Sequence, residues 1–153
     1  MKKQNGVTLI ELMIAIAVLA VLLGIGIPSF QDTIRTNRVA AITNDLVGAL
    51  QFARSEAVRR GEDVTVCSSN DQATCSGTWS DGWVVRTATT TLRVWPALRA
   101  GANVVPTPAG TIVYGPMGNA AVARCFDITF DTAARNVDIN AGGRVQSNQG
   151  ACS

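Results

Sequence analysis

The sequence predicts an α+β fold, in which a long N-terminal helix over about residues 7–60 packs its second half on an antiparallel β-sheet domain. Three observations predict this fold. A long apolar run lies near the N-terminus, apolar residues at helical spacing follow it, and short β-prone segments separated by turn residues come after Gly61. At 153 residues the chain has the length of about one domain.

The apolar run from Leu12 to Phe30 contains nineteen residues without a charge. As a helix it would be about 28 Å long, which matches the hydrocarbon core of a bilayer. A cleaved secretory signal is the alternative, but its apolar region is usually about 7–15 residues long and ends at small residues of the A-x-A type. We therefore predict a transmembrane segment over residues 7–30, entered with the N-terminus inside, with Pro28 bending or loosening the helix near its end.

Glu11 is the single charge in this part of the chain, and two roles fit it. Thr8 and Glu11 have the spacing of a capping box, and a carboxylate in the first turn interacts favourably with the helix dipole. Alternatively, Glu11 serves to bind a positive partner, because a carboxylate in an apolar bundle is tolerated mainly when it is paired. The physical argument alone does not choose between the two roles.

The second half of the helix is predicted from apolar residues spaced by three, four and eight positions. They are Ile34, Ile42, Leu46, Leu50, Ala53 and Ala57. Arg59 and Arg60 suit the C-terminus of a helix, and Gly61 can end it. The arginines of this half are interpreted as a solvated face.

Strands are predicted after Gly61 from alternation, β-prone residues and flanking turns. The predicted strands are residues 63–67, 82–86, 90–95, 111–115, 123–130, 135–139 and 143–147. Asn140-Ala141-Gly142 is interpreted as a hairpin turn between the last two. Trp79, Trp83 and Trp95 are interpreted as core residues.

The composition argues against an enzyme. The chain has no histidine, and its two lysines, Lys2 and Lys3, lie at the extreme N-terminus, so the usual bases for a serine or cysteine nucleophile are missing from the rest. The aspartates do not form a calcium-binding loop pattern. Beyond the two lysines, eleven arginines face eleven acids, so a general attraction to nucleic acid is not predicted. We expect no cofactor, no metal and no small-molecule substrate.

The four cysteines contain no C-x-x-C pair, which disfavours zinc-ribbon and thioredoxin-like sites. An even number behind an export-type N-terminus favours disulfides in an oxidising compartment. Three pairings are open. We favour the sequence-local pair Cys67–Cys75 together with Cys125–Cys152.

The N-terminal residues KKQNGVTLIELMIAIAVLAVLLGIGIP resemble the start of a type IV prepilin or a type II secretion pseudopilin. The resemblance implies a leader over residues 1–6, cleavage after Gly6 by a prepilin peptidase, and N-methylation of Val7, where the family usually has phenylalanine. It also implies that Glu11 pairs with the terminal amine of a neighbouring subunit and so acts in assembly. Residues 31–153 would then form a periplasmic, later extracellular, globular domain.

A second resemblance covers most of the remaining chain. Residues 49–85, the segment LRVWPAL and the closing GGRVQSNQGACS resemble the GspH/FimT family of minor pilins and pseudopilins. The family implies a lollipop shape and a low-abundance subunit that primes pilus assembly and sits at or near the pilus tip, beside other minor pilins and the major pilin. The implied location is the inner membrane before assembly, with the globular domain in the periplasm, and afterwards the filament at the cell surface.

Two alternatives to a minor pilin stay open. A type II secretion pseudopilin shares both sequence patterns. A DNA-binding pilin for natural transformation is the other, since some FimT-type pilins carry a C-terminal Gly-Arg-x-Arg motif. Here Gly143 and Arg144 are present, but Gln146 replaces the second arginine, and affinity grows with the number of phosphates neutralised. Arg124, Arg135 and Arg144 are the candidate DNA contacts, and DNA binding is not favoured.

Overall fold

The computed structural model describes residues 7–152, except for the side chains of residues 24–29. The predicted leader, with Gly6, lies outside the described residues. The α+β prediction is confirmed: the described part contains one long α-helix, one 3₁₀ turn and eight strands. These elements are α1 Leu9–Arg60, β1 Val64–Ser68, the 3₁₀ turn Trp79–Asp81, β2 Trp83–Arg86, β3 Thr91–Trp95, β4 Ala102–Thr107, β5 Ile112–Tyr114, β6 Arg124–Phe130, β7 Ala133–Ile139 and β8 Val145–Gln149.

The chain divides into two compact units, Met1–Ile34 and Arg35–Ser153. In the first unit, α1 carries apolar side chains that are exposed all round the helix; the large ones between Leu9 and Leu23 are 51–77% exposed. The predicted transmembrane segment includes residues 24–29, whose side chains lie outside the description. Within the described residues, none of the helical segments combines the length and the apolar character needed to span a bilayer.

The second unit contains two four-stranded antiparallel sheets. The strand order is β3-β2-β1-β5 in one sheet and β4-β6-β7-β8 in the other. The predicted hairpin at the C-terminal end is present, with Ile139 paired to Val145 across the turn. This last strand begins two residues later than predicted because the turn extends to Arg144, whose N–H donates to Asn140 Oδ1 at 2.9 Å. All seven predicted strands are present, and β4 was not predicted.

The second half of α1 contributes to a core shared with both sheets. Of the predicted apolar stripe, Leu46, Leu50, Ala53 and Ala57 are fully buried. Ile42 is half-buried and Ile34, in the first unit, is 37% exposed, so the stripe begins later than predicted. Val39, Thr43 and Ala49, which are not part of the predicted stripe, are also buried, and Thr43 can be buried because its Oγ1 donates to Val39 O at 2.7 Å.

The tryptophans belong to the core, as predicted. Trp79, Trp83 and Trp95 are each at least nine-tenths buried. The Trp79 ring meets Phe126 edge-on at 4.7 Å between centroids, which joins the 3₁₀ turn to β6. Trp83 and Trp95 stack at 6.4 Å on neighbouring strands of the other sheet. Trp79 also lies 6.4 Å from Trp83, so the 3₁₀ turn connects β6 of one sheet to β2 of the other through aromatic contacts.

Of the arginines predicted to form a solvated face, Arg38, Arg59 and Arg60 are exposed, whereas Arg35 and Arg54 are half-buried. Arg35 pairs with Asp131 at 2.8 Å, and the Arg38 guanidinium lies 4.9 Å from the centre of the Phe130 ring. The arginine side chain is long, so at the border of a core it can pack its apolar stem on the core surface while its guanidinium reaches an acceptor or an aromatic face. The end of the helix agrees with the prediction, since Gly61 has φ +69° and its N–H donates to Ala57 O at 2.9 Å.

Both disulfides have the pairing that was favoured. Cys67 is bonded to Cys75 and Cys125 to Cys152, and no free cysteine is found among the described residues. The first closes the loop after β1. The second attaches the end of the chain to the central strand β6, where Cys152 N–H also donates to Asp127 Oδ1 at 2.6 Å.

Candidate assembly site and arginine positions

Glu11 lies in the first turn of α1, where Thr8 caps the helix. The Glu11 N–H donates to Thr8 Oγ1 at 3.3 Å, and the Leu12 N–H donates to Thr8 O at 3.1 Å. This is the half of a capping box in which the hydroxyl accepts from the backbone. The Glu11 side chain is exposed, and among residues 7–152 no cation forms a salt bridge with it.

The surroundings of Glu11 are apolar. Val7, Leu9, Ile10 and Leu12 are all more than half exposed. In water the carboxylate is solvated favourably, but the apolar side chains around it are exposed to solvent unfavourably. If the apolar surface is covered by lipid or by another helix, the carboxylate loses water and needs a cation. The geometry is therefore compatible with both predicted roles of Glu11. The residue lies in the first turn of the helix, and its carboxylate is exposed to a partner.

The disulfide loop after β1 is built around Asp71. Its carboxylate accepts hydrogen bonds from Ser69 Oγ, the N–H groups of Ala73 and Thr74, and Thr74 Oγ1, at 2.6–2.9 Å. The Thr74 hydroxyl, followed by the backbone donors, holds the pKa of Asp71 well below its usual range. The carboxylate is therefore a structural acceptor that fixes the loop.

Glu56 is the second carboxylate with a clear structural role. It is buried near the end of α1 and accepts from Arg59 Nε and Nη2 at 3.0 and 2.6 Å and from Arg60 Nε at 2.7 Å. Hydrogen bonds from Arg59 and then Arg60 lower the pKa of Glu56 to about 2. Glu56 is thus ionised at neutral pH and neutralised within its own helix.

The three candidate DNA contacts do not share one surface. Arg124 is only 7% exposed and lies on the core-facing side of β6, where burial lowers its pKa. Arg135 is half-buried on β7, four residues from the partner of Arg124 and so about 13 Å along the strand. Arg144 is exposed in the β7–β8 turn. A phosphate backbone can therefore reach Arg144, but it cannot reach all three together.

Arg54 has a structural role that the sequence did not indicate. Its Nε donates to Gly118 O at 2.8 Å and its Nη2 to Gly142 O at 3.0 Å. One helix side chain thus joins the turn after β5 to the turn after β7. The sequence shows the two glycine-containing turns. It does not show which side chain binds them.

The residues that the structure describes contain no group of three or more histidine, cysteine or acidic side chains arranged to hold a metal ion. The disulfides use the four cysteines, and the carboxylates of Asp71 and Glu56 accept hydrogen bonds from donors within the fold. The sites described above are thus suited to holding the structure and to binding another molecule through Glu11 or the surface.

Comparison with known proteins gives two family matches. Residues 43–143 match the family described as Type II transport protein GspH, and residues 1–27 match the prokaryotic N-terminal methylation motif. The methylation motif includes Gly6, Val7 and Glu11.

The relatives found by sequence are fimbrial proteins. A Fimbrial protein of Pseudomonas aeruginosa is 43% identical over 65 residues, which are 42% of this chain and 41% of that protein. The chain therefore matches about two fifths of the length of that relative. Fimbrial protein Q of Moraxella bovis is 29% identical over 122 residues, 79% of this chain and 73% of that protein.

Solved structures share the fold. The type IV minor pilin FimU of Pseudomonas aeruginosa superimposes with a TM-score of 0.63 and 21% identity, covering 73% of this chain and 89% of that one. A second crystal form of FimU gives a TM-score of 0.60 at 19% identity, covering 71% of this chain and 91% of that one. The GspH match covers about two thirds of the chain, from within the second half of α1 to the turn before β8, so this protein belongs to the GspH family and carries the prokaryotic N-terminal methylation motif over residues 1–27.

Proposed function

We propose that this protein is a minor type IV pilin that primes pilus assembly and sits at or near the pilus tip with other minor pilins. The observation that carries the proposal is the helix of the first unit, whose apolar side chains are exposed all round and whose first-turn carboxylate, Glu11, has no cation partner among the described residues. Such a surface is stable only when lipid or other helices cover it.

The comparisons support a pilin over other proteins with an apolar helix. The chain combines the methylation motif with a GspH domain, and its fold is that of a protein described as a type IV minor pilin. In this proposal a prepilin peptidase cleaves after Gly6, Val7 becomes the methylated N-terminus, and the inner membrane holds the helix with the second unit in the periplasm.

Assembly is then a transfer from lipid to filament. Apolar contacts with lipid are exchanged for contacts with neighbouring helices, so the hydrophobic free energy changes little. Glu11 gains a positive partner, the terminal amine of a neighbouring pilin, and this gain favours the filament because an unpaired carboxylate there is costly. In this proposal the pairing of Glu11 with the amine favours transfer from lipid into the filament and fixes the position of each subunit along its neighbour.

The test is the number of surface pili per cell, counted by electron microscopy in a strain lacking the protein and after complementation. We expect loss without the protein, restoration by the normal chain, and at least about a tenfold lower count with Glu11→Gln, because the amide cannot pair with a cation. The matched control is Glu62→Gln, which removes an exposed carboxylate after the helix and should restore pili fully. Full piliation with Glu11→Gln would contradict the assigned role of Glu11.

A type II secretion pseudopilin is the second candidate, favoured by the description of the matched family as a type II transport protein. The same deletion strain separates the two functions. Normal pili together with loss of a secreted enzyme from the medium would establish the pseudopilin, and loss of pili with normal secretion would establish the pilin.

A further inference from the structure

Met117 is the most exposed large apolar side chain that the structure describes, at 90% exposure. It lies at the tip of the turn between β5 and β6. Gly118 N–H donates to Gly115 O at 2.8 Å, and Gly115 N–H donates to Asn119 O at 3.0 Å, so the turn is closed on both sides of Met117. The methionine therefore projects from a hydrogen-bonded turn into solvent.

The turn is also held from outside. Arg54 binds Gly118 O, as described above, and through Gly142 O it ties the neighbouring turn to the same place. Gly143 packs so closely that a Cβ on it would lie 2.0 Å from Gly118 O. A turn fixed in this way loses little conformational entropy when a partner binds to it.

Met117 borders a shallow cleft on α1, and we name the cleft and the methionine together the Met117 surface. Its residues are Gln51, Arg54, Ser55, Val58, Arg59 and Met117. Val58 is 55% exposed and extends the apolar area beside the methionine. Methionine and arginine are enriched in protein interfaces, and methionine adapts its shape to a recess.

The charge of the Met117 surface is positive. Arg54 and Arg59 line it, and no carboxylate does. Next to it, Glu56 offers one negative charge against the two positive charges of Arg59 and Arg60. We propose that the Met117 surface docks a different protein subunit, one that offers an apolar recess bordered by carboxylates. This inference holds for a pilus and for a secretion pseudopilus alike, so it goes beyond the proposed function.

A second copy of this chain fits poorly. Of two other recesses in the same unit, one is bordered by Arg38 and Arg99 with Asp45 as its carboxylate, and the other contains Arg135 and no carboxylate. Both would bring arginine against arginine. A membrane surface also fits less well, because stable binding to anionic lipid takes a larger apolar face or a cluster of basic residues.

The experiment places a photoreactive benzoylphenylalanine at residue 117 of the full chain, in cells that make the protein naturally. A second probe at Gln51, in the same cleft, gives the result if the first variant does not accumulate. The control probe is at Val105, an exposed valine on β4. We expect irradiation to join positions 117 and 51 to one and the same different protein, identified by mass spectrometry, and position 105 not to do so.

The charge requirement is tested in the same cells. Arg59→Glu should lower the yield of the crosslinked product at position 51 at least about fivefold, whereas Arg99→Glu, in another recess, should leave it unchanged. A product containing two copies of this chain, a lipid adduct, equal products at position 105, no product in cells that carry normal pili, or a yield indifferent to Arg59→Glu would overturn the proposal. Pilus counts in the probe strains report on the proposed function separately.

Discussion

Glu56 shows how single side chains secure the end of α1. The helix C-terminus carries a partial negative charge, which favours Arg59 and Arg60, and Glu56 one turn earlier orders both of them. Because its carboxylate is buried, removing its charge would leave two arginines without their acceptor. The free energy of folding should therefore depend on the ionisation of this one residue.

We predict a specific acid response for Glu56. Its pKa is lowered from 4.5 to about 2 in the folded protein, so its stabilisation is fully present above pH 4.5 and is lost as the pH falls towards 2. The melting temperature of the full chain in detergent should fall over this range. Glu56→Gln should melt lower than the normal protein at pH 7 and lose less between pH 4.5 and 2.

The matched control for this measurement is Glu62→Gln, which removes an exposed carboxylate. We expect the melting temperature of this variant to change with pH as that of the normal protein does. Parallel curves for Glu56→Gln and the normal protein between pH 4.5 and 2 would show that Glu56 does not contribute in this way.

These residue contacts mark the limit of prediction from the sequence. The spacing of Glu56 with Arg59 and Arg60 is visible in the sequence, because positions three and four apart on a helix are neighbours. The bonds from Arg54 to Gly118 and Gly142 join residues 64 and 88 positions apart, and no local pattern contains that information. Local charge pairs were predictable in principle, whereas long-range arginine contacts required the fold.

At the level of elements, strands with clear alternation and turn flanks were predictable and β4 was not. Its sequence, ANVVPT, contains a proline, which normally argues against a strand. Proline is accommodated here because β4 is an edge strand, paired with β6 alone. Helix α1 was predicted almost to its ends, since periodicity, a cap and a terminal glycine all agree.

The two disulfides secure elements of different size, and we predict unequal effects of removing them. In the chain-entropy description, opening the 27-residue separation of Cys125–Cys152 costs about 3.5 kcal/mol, and opening the 8-residue separation of Cys67–Cys75 costs about 2.5 kcal/mol. Double replacement by serine should therefore lower the melting temperature more for the first pair. Thermal unfolding of the full chain in detergent measures this.

Each double-serine variant is the control for the other, because both remove two sulfurs. An equal or reversed order would indicate that the bonds act mainly through contacts in the folded protein, such as the Asp71 network beside Cys75.

At the scale of the whole molecule, the arrangement of arginines bears on nucleic-acid binding. The charge balance predicted no general attraction, and the fold adds a reason: Arg35 is paired with Asp131, Arg60 is paired with Glu56, and Arg124 is buried. A binding face for DNA needs several cations that reach phosphates together.

We therefore predict weak binding of duplex DNA by the full chain in detergent, with no gel shift at physiological salt. Any binding at low salt should fall by less than about tenfold with Arg144→Ala, since one phosphate contact contributes a small part of the salt-dependent free energy. Gln146→Arg, which restores the Gly-Arg-x-Arg pattern, is the informative counterpart and should strengthen the shift. Tight binding that Arg144→Ala abolishes would contradict this prediction.

Edge strand β4 has a consequence for how other proteins can join this one. Its N–H groups that point away from β6 are those of alternate residues: Ala102 donates to Arg99 O, Val104 donates to Ser80 Oγ, and Pro106 has no N–H. A foreign strand laid along this border would find no backbone donor with which to pair. Strand exchange at this border would have to rely on the carbonyl acceptors of β4 alone, which makes it less favourable than pairing with an edge that also offers donors.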